Sequence, residues 1–350
     1  MGRRYLFVSP DMRGASGGVA VLRDAARALI ASGREAAMLF PSPSATYGEL
    51  GEVPALHAPE MRRRALRAPT PRKAAHWARK ALAEGRGPRL WKAWTRRPGD
   101  VLVVPEFMLD EVGAALPGLP RVPFVQAGTA WVEARARQRR AGQDPDAGVV
   151  HTLAASEACD RAVRALAVGP TSYVPAAPDL SLYPYRADKR RRIAYMPRRR
   201  RGEARTVVET LRARGRLGDF ELVEVDGLTQ AEVARIVGES LIFVSLMKGE
   251  ALGFPAMEAM AAGCVVVGYD GTGGAEYFDA TTGIPVTEDQ TAELIAAVEA
   301  VVARADADPA SLDALRRRAS EAVRARYTRA AYEAALLAAW ARIEADLDSA

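Results

Sequence analysis

Residues 241–268 read Leu241-Ile242-Phe243-Val244-Ser245-Leu246-Met247-Lys248-Gly249-Glu250-Ala251-Leu252-Gly253-Phe254-Pro255-Ala256-Met257-Glu258-Ala259-Met260-Ala261-Ala262-Gly263-Cys264-Val265-Val266-Val267-Gly268. Two β-branched apolar runs, one ending at Ser245 and one starting at Val265, flank an alanine- and methionine-rich stretch. That is the pattern of two parallel strands joined by a helix. Pro255 fits the start of the helix, where its missing N–H is one that a first turn leaves unbonded anyway. The remaining free N–H groups there can meet a diphosphate, and Glu258, one turn in, can accept two hydrogen bonds from a ribose diol. Gly253 permits close backbone approach, and Glu250 reaches another part of the same ligand. The eight-residue interval between the acids carries little alone, since Glu52/Glu60 and Glu224/Glu232 share it. The G-x-P-x-x-E-A-M setting between two strands makes the pair specific.

The same alternation runs through most of the chain. Strand candidates 5–8, 36–40, 101–104, 122–126, 153–155 and 172–174 form one series, and 193–196, 221–226, 241–245, 265–268 and 284–286 a second. Helical patterns between them, such as 205–214 and 230–237, predict parallel sheets covered on both faces. The expected fold is therefore α/β, with two Rossmann-like domains facing a central cleft, because open parallel sheets bind ligands beyond the carboxyl ends of their strands. Val174-Pro175-Ala176-Ala177-Pro178-Asp179 has two prolines and little periodicity, as a linker should. This places a first domain at 1–178, a second at 179–325 and a hinge near 175–190. The tail from Ala322 to Asp346 reads as one long amphipathic helix, and 326–350 are set apart as a C-terminal helix whose apolar face can pack back on the first domain.

With 49% apolar and 26% charged residues and a mean hydropathy of −0.10, the 350-residue chain has a globular composition, not a disordered one. Charges interrupt every apolar run before it reaches spanning length. The start resembles neither a signal peptide nor a myristoylation motif, and two cysteines give no disulfide framework; a cytoplasmic location is expected. Residues 61–97 hold 13 Lys and Arg against Glu84 alone, a local +12 in a chain of net +6. A second run, Arg186 to Arg201, has nine basic residues against Asp188. Two local anion sites are expected, and no nucleic-acid partner, because zinc-finger spacing, RNP-like strands and basic zippers are missing. In 61–97 the basic residues interleave with Trp77, Trp91 and Trp94. Two readings compete there: a solvated helical insert, or a peripheral interface for anionic membrane or an anionic glycan, at the inner face of the membrane.

After the first strand come Gly14, Gly17 and Gly18, then a helix from about Val19. Glycines at such a turn let backbone N–H groups approach an anion; a plain tight turn is the alternative. A dinucleotide fingerprint and a Walker lysine are both missing. Asp144-Pro145-Asp146 and Asp306-Ala307-Asp308 look like D-x-D elements but sit in helix-capping settings, so no metal is expected.

The 245–260 segment resembles the E-G-F-G-L-P-x-x-E-A-M signature of the retaining family 4 (group 1) glycosyltransferases of the B-type two-Rossmann fold. Tyr195-Met196-Pro197-Arg198-Arg199-Arg200-Arg201 is similar to a Y-M-P-R-K variant of the family's phosphate segment, and Gly273-Gly274-Ala275-Glu276 to its G-G-x-x-E element. The resemblance implies a hexosyltransferase-type enzyme that moves a sugar from a nucleotide-diphosphate sugar, with no permanently bound cofactor, to a glycan, lipid or small-molecule acceptor. It implies that Glu258 holds the ribose, that Glu250, with Ala251, Leu252, Gly253 and Phe254, faces the donor, and that Gly17 and Gly18 close over the phosphates. Arg198 and one of Arg199 to Arg201 neutralise the leaving diphosphate, Arg199 and Arg201 being the candidates beside Arg198. The base lies against Val225, Asp226 and Gly227. Glu250, Arg198 and Gln126 are the catalytic candidates. Where the family commonly has a His on the first domain, this chain has Gln126, which can hydrogen-bond a sugar hydroxyl but is no general base; His151 is a second candidate nearby in sequence. Two alternatives stay open: a sugar-nucleotide-binding module without turnover, and a sugar-nucleotide 2-epimerase of similar architecture.

Overall fold

The computed structural model describes residues 2–11, 17–42, 50–61, 92–249 and 252–349. Among them, strands β1 (Arg4–Val8), β2 (Glu35–Phe40), β3 (Ala55–His57), β4 (Lys92–Ala93), β5 (Asp100–Pro105), β6 (Arg121–Val125), β7 (Thr152–Ala154) and β8 (Thr171–Tyr173) form one sheet. Its order is β4-β3-β2-β1-β5-β6-β7-β8, and every pairing is parallel. The central strands are buried on both faces, which is why β1 and β5 read as continuous apolar runs and not as alternating ones. Helices α1 (Gly17–Ala31), α2 (Leu109–Ala115), α3 (Gly128–Arg140) and α4 (Glu157–Leu166) supply the crossovers. The short edge strands β3 and β4, three and two residues long, carry too little pattern to be seen in sequence.

The second sheet comprises β9 (Arg190–Tyr195), β10 (Glu221–Glu224), β11 (Ser240–Leu246), β12 (Val265–Tyr269) and β13 (Ile284–Pro285), all parallel, in the order β10-β9-β11-β12-β13. Helices α5 (Arg201–Arg214), α6 (Gln230–Glu239), α7 (Phe254–Ala261), α8 (Thr291–Ala307) and α9 (Pro309–Arg326) cover it. Local signals set their ends: Thr229 and Glu232 form a capping box on α6, Gly215 closes α5 in the left-handed region, and Asp308 caps α9 just before Pro309.

The expected single tail helix is broken. Tyr327 and Thr328 interrupt it, and α10 (Arg329–Ser349) starts afresh with Thr328 Oγ1 accepting the Ala331 N–H at 3.1 Å. From there α10 crosses to the first sheet, where fully buried Trp340 stacks on Phe7 at 5.7 Å and meets Tyr5 edge-on at 5.2 Å. Glu344 takes a two-pronged bond from Arg34 (2.8 and 2.7 Å) and one from the Tyr5 hydroxyl (2.8 Å). His151 belongs to this seam. Its ring bonds Asp346 at 2.7 Å and Ser172 at 2.9 Å, so it serves packing and not chemistry.

Two charge-based expectations change. The run from Arg186 is no single anion site, because most of it is already paired: Arg190 with Glu239, Arg191 with Asp219 and Asp306, and Arg192 with Glu221 and Glu239. Lys189 Nζ donates to the carbonyls of Gly238 and Ala262. In the other basic segment, residues 62–91 lie outside the described ones, but Trp94 is buried and its indole N–H reaches Asp100 at 3.0 Å. That tryptophan is core, unavailable to an interface. Among the described residues no helix is long and apolar enough to cross a membrane.

Candidate active site

Strand order reverses between β1 and β5 in the first sheet and between β9 and β11 in the second. At such switch points the flanking loops diverge and leave a crevice at the carboxyl ends of the strands. Four loops therefore frame the cleft: those after β1, β5, β9 and β11.

After β11, Gly253 adopts φ +67°, and a Cβ placed on it would lie 1.6 Å from Met247 Sδ. Only glycine fits that turn. The Tyr277 hydroxyl donates to the carbonyls of Leu252 (2.6 Å) and Gly253 (2.9 Å), fixing the backbone that enters α7. Pro255 stands in the expected place at the start of α7, and the Ala256 N–H already donates to the Gly253 carbonyl at 3.1 Å. Glu258 follows one turn later, partly exposed within dense surroundings that push its carboxyl up to about 7, while a hydrogen bond from the Tyr183 hydroxyl works the other way. Tyr183 lies in the connection between the sheets, and the sequence reading missed it. Glu250 and Ala251 lie outside the described residues.

After β9, Arg199 takes a left-handed φ of 71°, turning the chain so that Arg198 and Arg199 are exposed while Arg200 is buried. Arg200 is held by Glu203 (2.7 Å), Asp289 (2.5 Å) and Glu288, over the Tyr269 ring at 4.9 Å. It anchors the loop and so is not available to a ligand. Arg201 pairs with Asp226 at 2.7 Å, tying the segment after β9 to the loop after β10, where Val225 is buried and Gly227 has φ +68°.

The first domain meets these loops at the start of α1. A Cβ on Gly17 would touch Phe254 Cδ2 at 3.7 Å, and one on Gly18 would come within 2.9 Å of Gln126 Oε1. A Cβ on Gly249 would lie 3.8 Å from Thr129 Oγ1. The two glycines, Gln126 and the entrance of α7 are thus brought together. Directly after β5 stands a residue that the sequence reading passed over: Glu106, 2% exposed, whose Oε2 accepts the Gln126 N–H at 2.9 Å. Burial pushes its carboxyl up to about 7, against the pull of backbone N–H groups and the Arg199 charge. An acid following a buried strand at a switch point was the available signal.

Glu276 serves elsewhere. It accepts the Glu157 N–H at the start of α4 (2.7 Å) and the Tyr327 hydroxyl (2.6 Å), linking the two domains. The D-x-D look-alikes are structural: Asp146 pairs with Arg135 and Asp308 caps α9. Among the described residues no cluster of His, Cys, Asp and Glu could hold a metal ion.

Residues 201–304 match the family described as glycosyl transferases group 1. A stretch of 49 residues is 47% identical to an alpha-1,6-glucosyltransferase of Actinobacillus pleuropneumoniae serotype 7 (strain AP76), spanning 14% of this chain and 15% of that one. The match to this curated relative thus covers well under two thirds of its length. Among solved structures, sucrose-phosphate synthase from Thermosynechococcus elongatus superposes with a TM-score of 0.65 at 16% identity, covering 98% of this chain and 99% of that one. Anabaena HepE in complex with UDP and glucose gives 0.60 at 14% identity, covering 99% and 100%. The match over residues 201–304 and the shared architecture across the whole length converge: that stretch is similar to the group 1 glycosyltransferases, and the chain has the two-domain B-type glycosyltransferase fold.

Proposed function

We propose that this protein is a retaining, metal-independent hexosyltransferase that takes its sugar from a UDP-sugar, with UDP-glucose the first donor to test. The observation that carries the reading is the Gly253–Glu258 turn, a helix entrance shaped around a left-handed glycine with a carboxylate one turn in, set against Gly17 and Gly18 of the facing domain. The positive N-terminal end of that helix draws the diphosphate, and Glu258 accepts from the ribose diol. Arg198 and Arg199 stabilise the charge that grows on the diphosphate as the bond from the sugar C1 to the phosphate oxygen breaks. The acceptor oxygen attacks C1 from the same face, and its proton passes to the departing phosphate oxygen, so no protein base is required. Glu250 faces the sugar and Gln126 bonds one of its hydroxyls. The acceptor, a glycan, lipid or small molecule, enters from the first domain. The likeness to the alpha-1,6-glucosyltransferase and to the HepE complex with UDP and glucose supports the choice of donor.

The experiment is incubation with UDP-glucose and chelator, with and without a panel of sugar acceptors, following UDP release and the anomeric configuration of the product by NMR. UDP release with an α-configured product supports the reading. A β-configured product overturns retention, arrest by chelator overturns metal independence, and tight UDP-glucose binding with no UDP release leaves the binding module.

A further inference from the structure

Glu106 occupies the first domain's switch point, where β5 ends and the crevice opens. It is a buried carboxylate, and burying a charge is costly unless it is well bonded. Its Oε2 holds the Gln126 N–H at 2.9 Å, at the turn where β6 ends and α3 begins. That turn has two neighbours at the cleft: Gln126 Oε1 lies against Gly18, and Thr129 Oγ1 toward Gly249.

We propose that Glu106 is a positioning residue for glycosyl transfer, fixing the Gln126 turn so that the Gln126 side chain stands at the sugar, opposite the α7 entrance. This rests on the transferase reading and extends it to a residue that no sequence motif marks. Gln126 Oε1 lies close against Gly18, where a Cβ would come within 2.9 Å of it. The backbone that carries this side chain is held by the Glu106 bond. The Arg199 guanidinium acts electrostatically on the same carboxylate, so the first domain's wall also senses the loop that meets the diphosphate.

The test uses the full chain with UDP-glucose as donor and water as acceptor, reading UDP release, together with calorimetry on UDP. Glu106→Gln is expected to lower kcat about 10- to 100-fold, the scale of a misplaced contact, while leaving the KM for UDP-glucose and the Kd for UDP within about twofold. Glu106→Asp, which keeps the charge but draws the carboxylate back from the Gln126 N–H, is expected to fall between and provides the reading if the first variant does not fold. Gln126→Ala should lower kcat similarly, and the double variant should be no slower than Gln126→Ala alone. Wild-type kcat in Glu106→Gln, or losses that multiply in the double variant, would overturn the proposal, as would a parallel loss of UDP affinity. A wild-type protein that neither binds UDP nor consumes UDP-glucose overturns the donor reading and this proposal together, so the wild-type control tells the two failures apart.

Discussion

In the second domain the crevice is shaped by packing: Gly253 at φ +67° closes on Met247, and the Tyr277 hydroxyl holds the two carbonyls that lead into α7. In the first domain the equivalent crevice is shaped by a charge, with Glu106 holding the Gln126 turn from beneath while Gly18 leaves the side chain room. Both walls also carry a carboxyl pushed up to about 7 by burial. A wall fixed by packing admits no added atom. One fixed by a carboxylate admits changes of shape but depends on its acceptor and on its proton. The second domain's wall is thus the rigid side of the cleft, and the first domain's the adjustable one.

The contrast breaks most easily at the glycines. Gly253→Ala forces a left-handed alanine and drives its Cβ onto Met247, where a built Cβ lies 1.6 Å from Sδ; a loss of about 2 to 4 kcal/mol is expected in denaturant unfolding, with UDP affinity lost as well. Gly18→Ala meets only the far end of the Gln126 side chain, which can swing away, and should cost under about 1 kcal/mol. Equal costs at the two positions would remove the distinction between a packed wall and an adjustable one.

Glu258→Gln comes next. Replacing a charge-assisted pair of hydrogen bonds to the ribose should weaken UDP binding by about 1.5 to 3 kcal/mol in calorimetry. The same change relieves a carboxylate held in surroundings that disfavour it, so the apo protein should gain about 1 to 3 kcal/mol near pH 8 in thermal unfolding. Weaker binding together with greater stability is the signature of a group kept for its ligand. A variant that loses both would mark Glu258 as a structural acid.

How far the sequence carried depends on the kind of constraint. Buried parallel strands are continuous apolar runs, so both strand series were legible except where β3 and β4 shrink to a few edge residues. The α7 entrance was legible because glycine, proline and glutamate follow one another within six residues. Glu106 and Tyr183 were not, because each acts on a partner far along the chain, 20 residues away for the Gln126 N–H; Glu276 was marked by its G-G-x-x-E setting, but its partner, the Glu157 N–H 119 residues away, was not. Basic residues misled for the complementary reason. A cluster in sequence shows charge but not the acids that fold back onto it, and Arg190, Arg191, Arg192 and Arg200 all found such partners. Trp94 likewise reads as interfacial among its basic neighbours, and only the fold brings Asp100 beneath its indole.

A pH series separates the two carboxyls. In its proposed role Glu258 must be ionised to accept two hydrogen bonds from the ribose, and burial pushes its carboxyl up to about 7, so donor affinity should rise as pH passes upward through that value. With UDP-glucose, whose diphosphate diester does not titrate in this window, the gain between about pH 6 and pH 8 should approach tenfold, about 1.4 kcal/mol. Stability of the unliganded protein should move in the opposite sense: a carboxyl that titrates near 4.5 when unfolded and near 7 when folded keeps an extra proton in the native state between those values, so unfolding free energy falls as pH rises across that interval. Glu106 contributes to that stability slope as Glu258 does, but it touches the turn beneath Gln126 and not the ribose. Calorimetry across the pH series should therefore show the affinity gain abolished in Glu258→Gln and kept in Glu106→Gln, while each variant alone flattens the stability slope in part. If Glu106→Gln also erased the pH dependence of donor affinity, the charge-held wall would be acting on the nucleotide through Arg199, and the two sides of the cleft would have to be treated as one electrostatic unit.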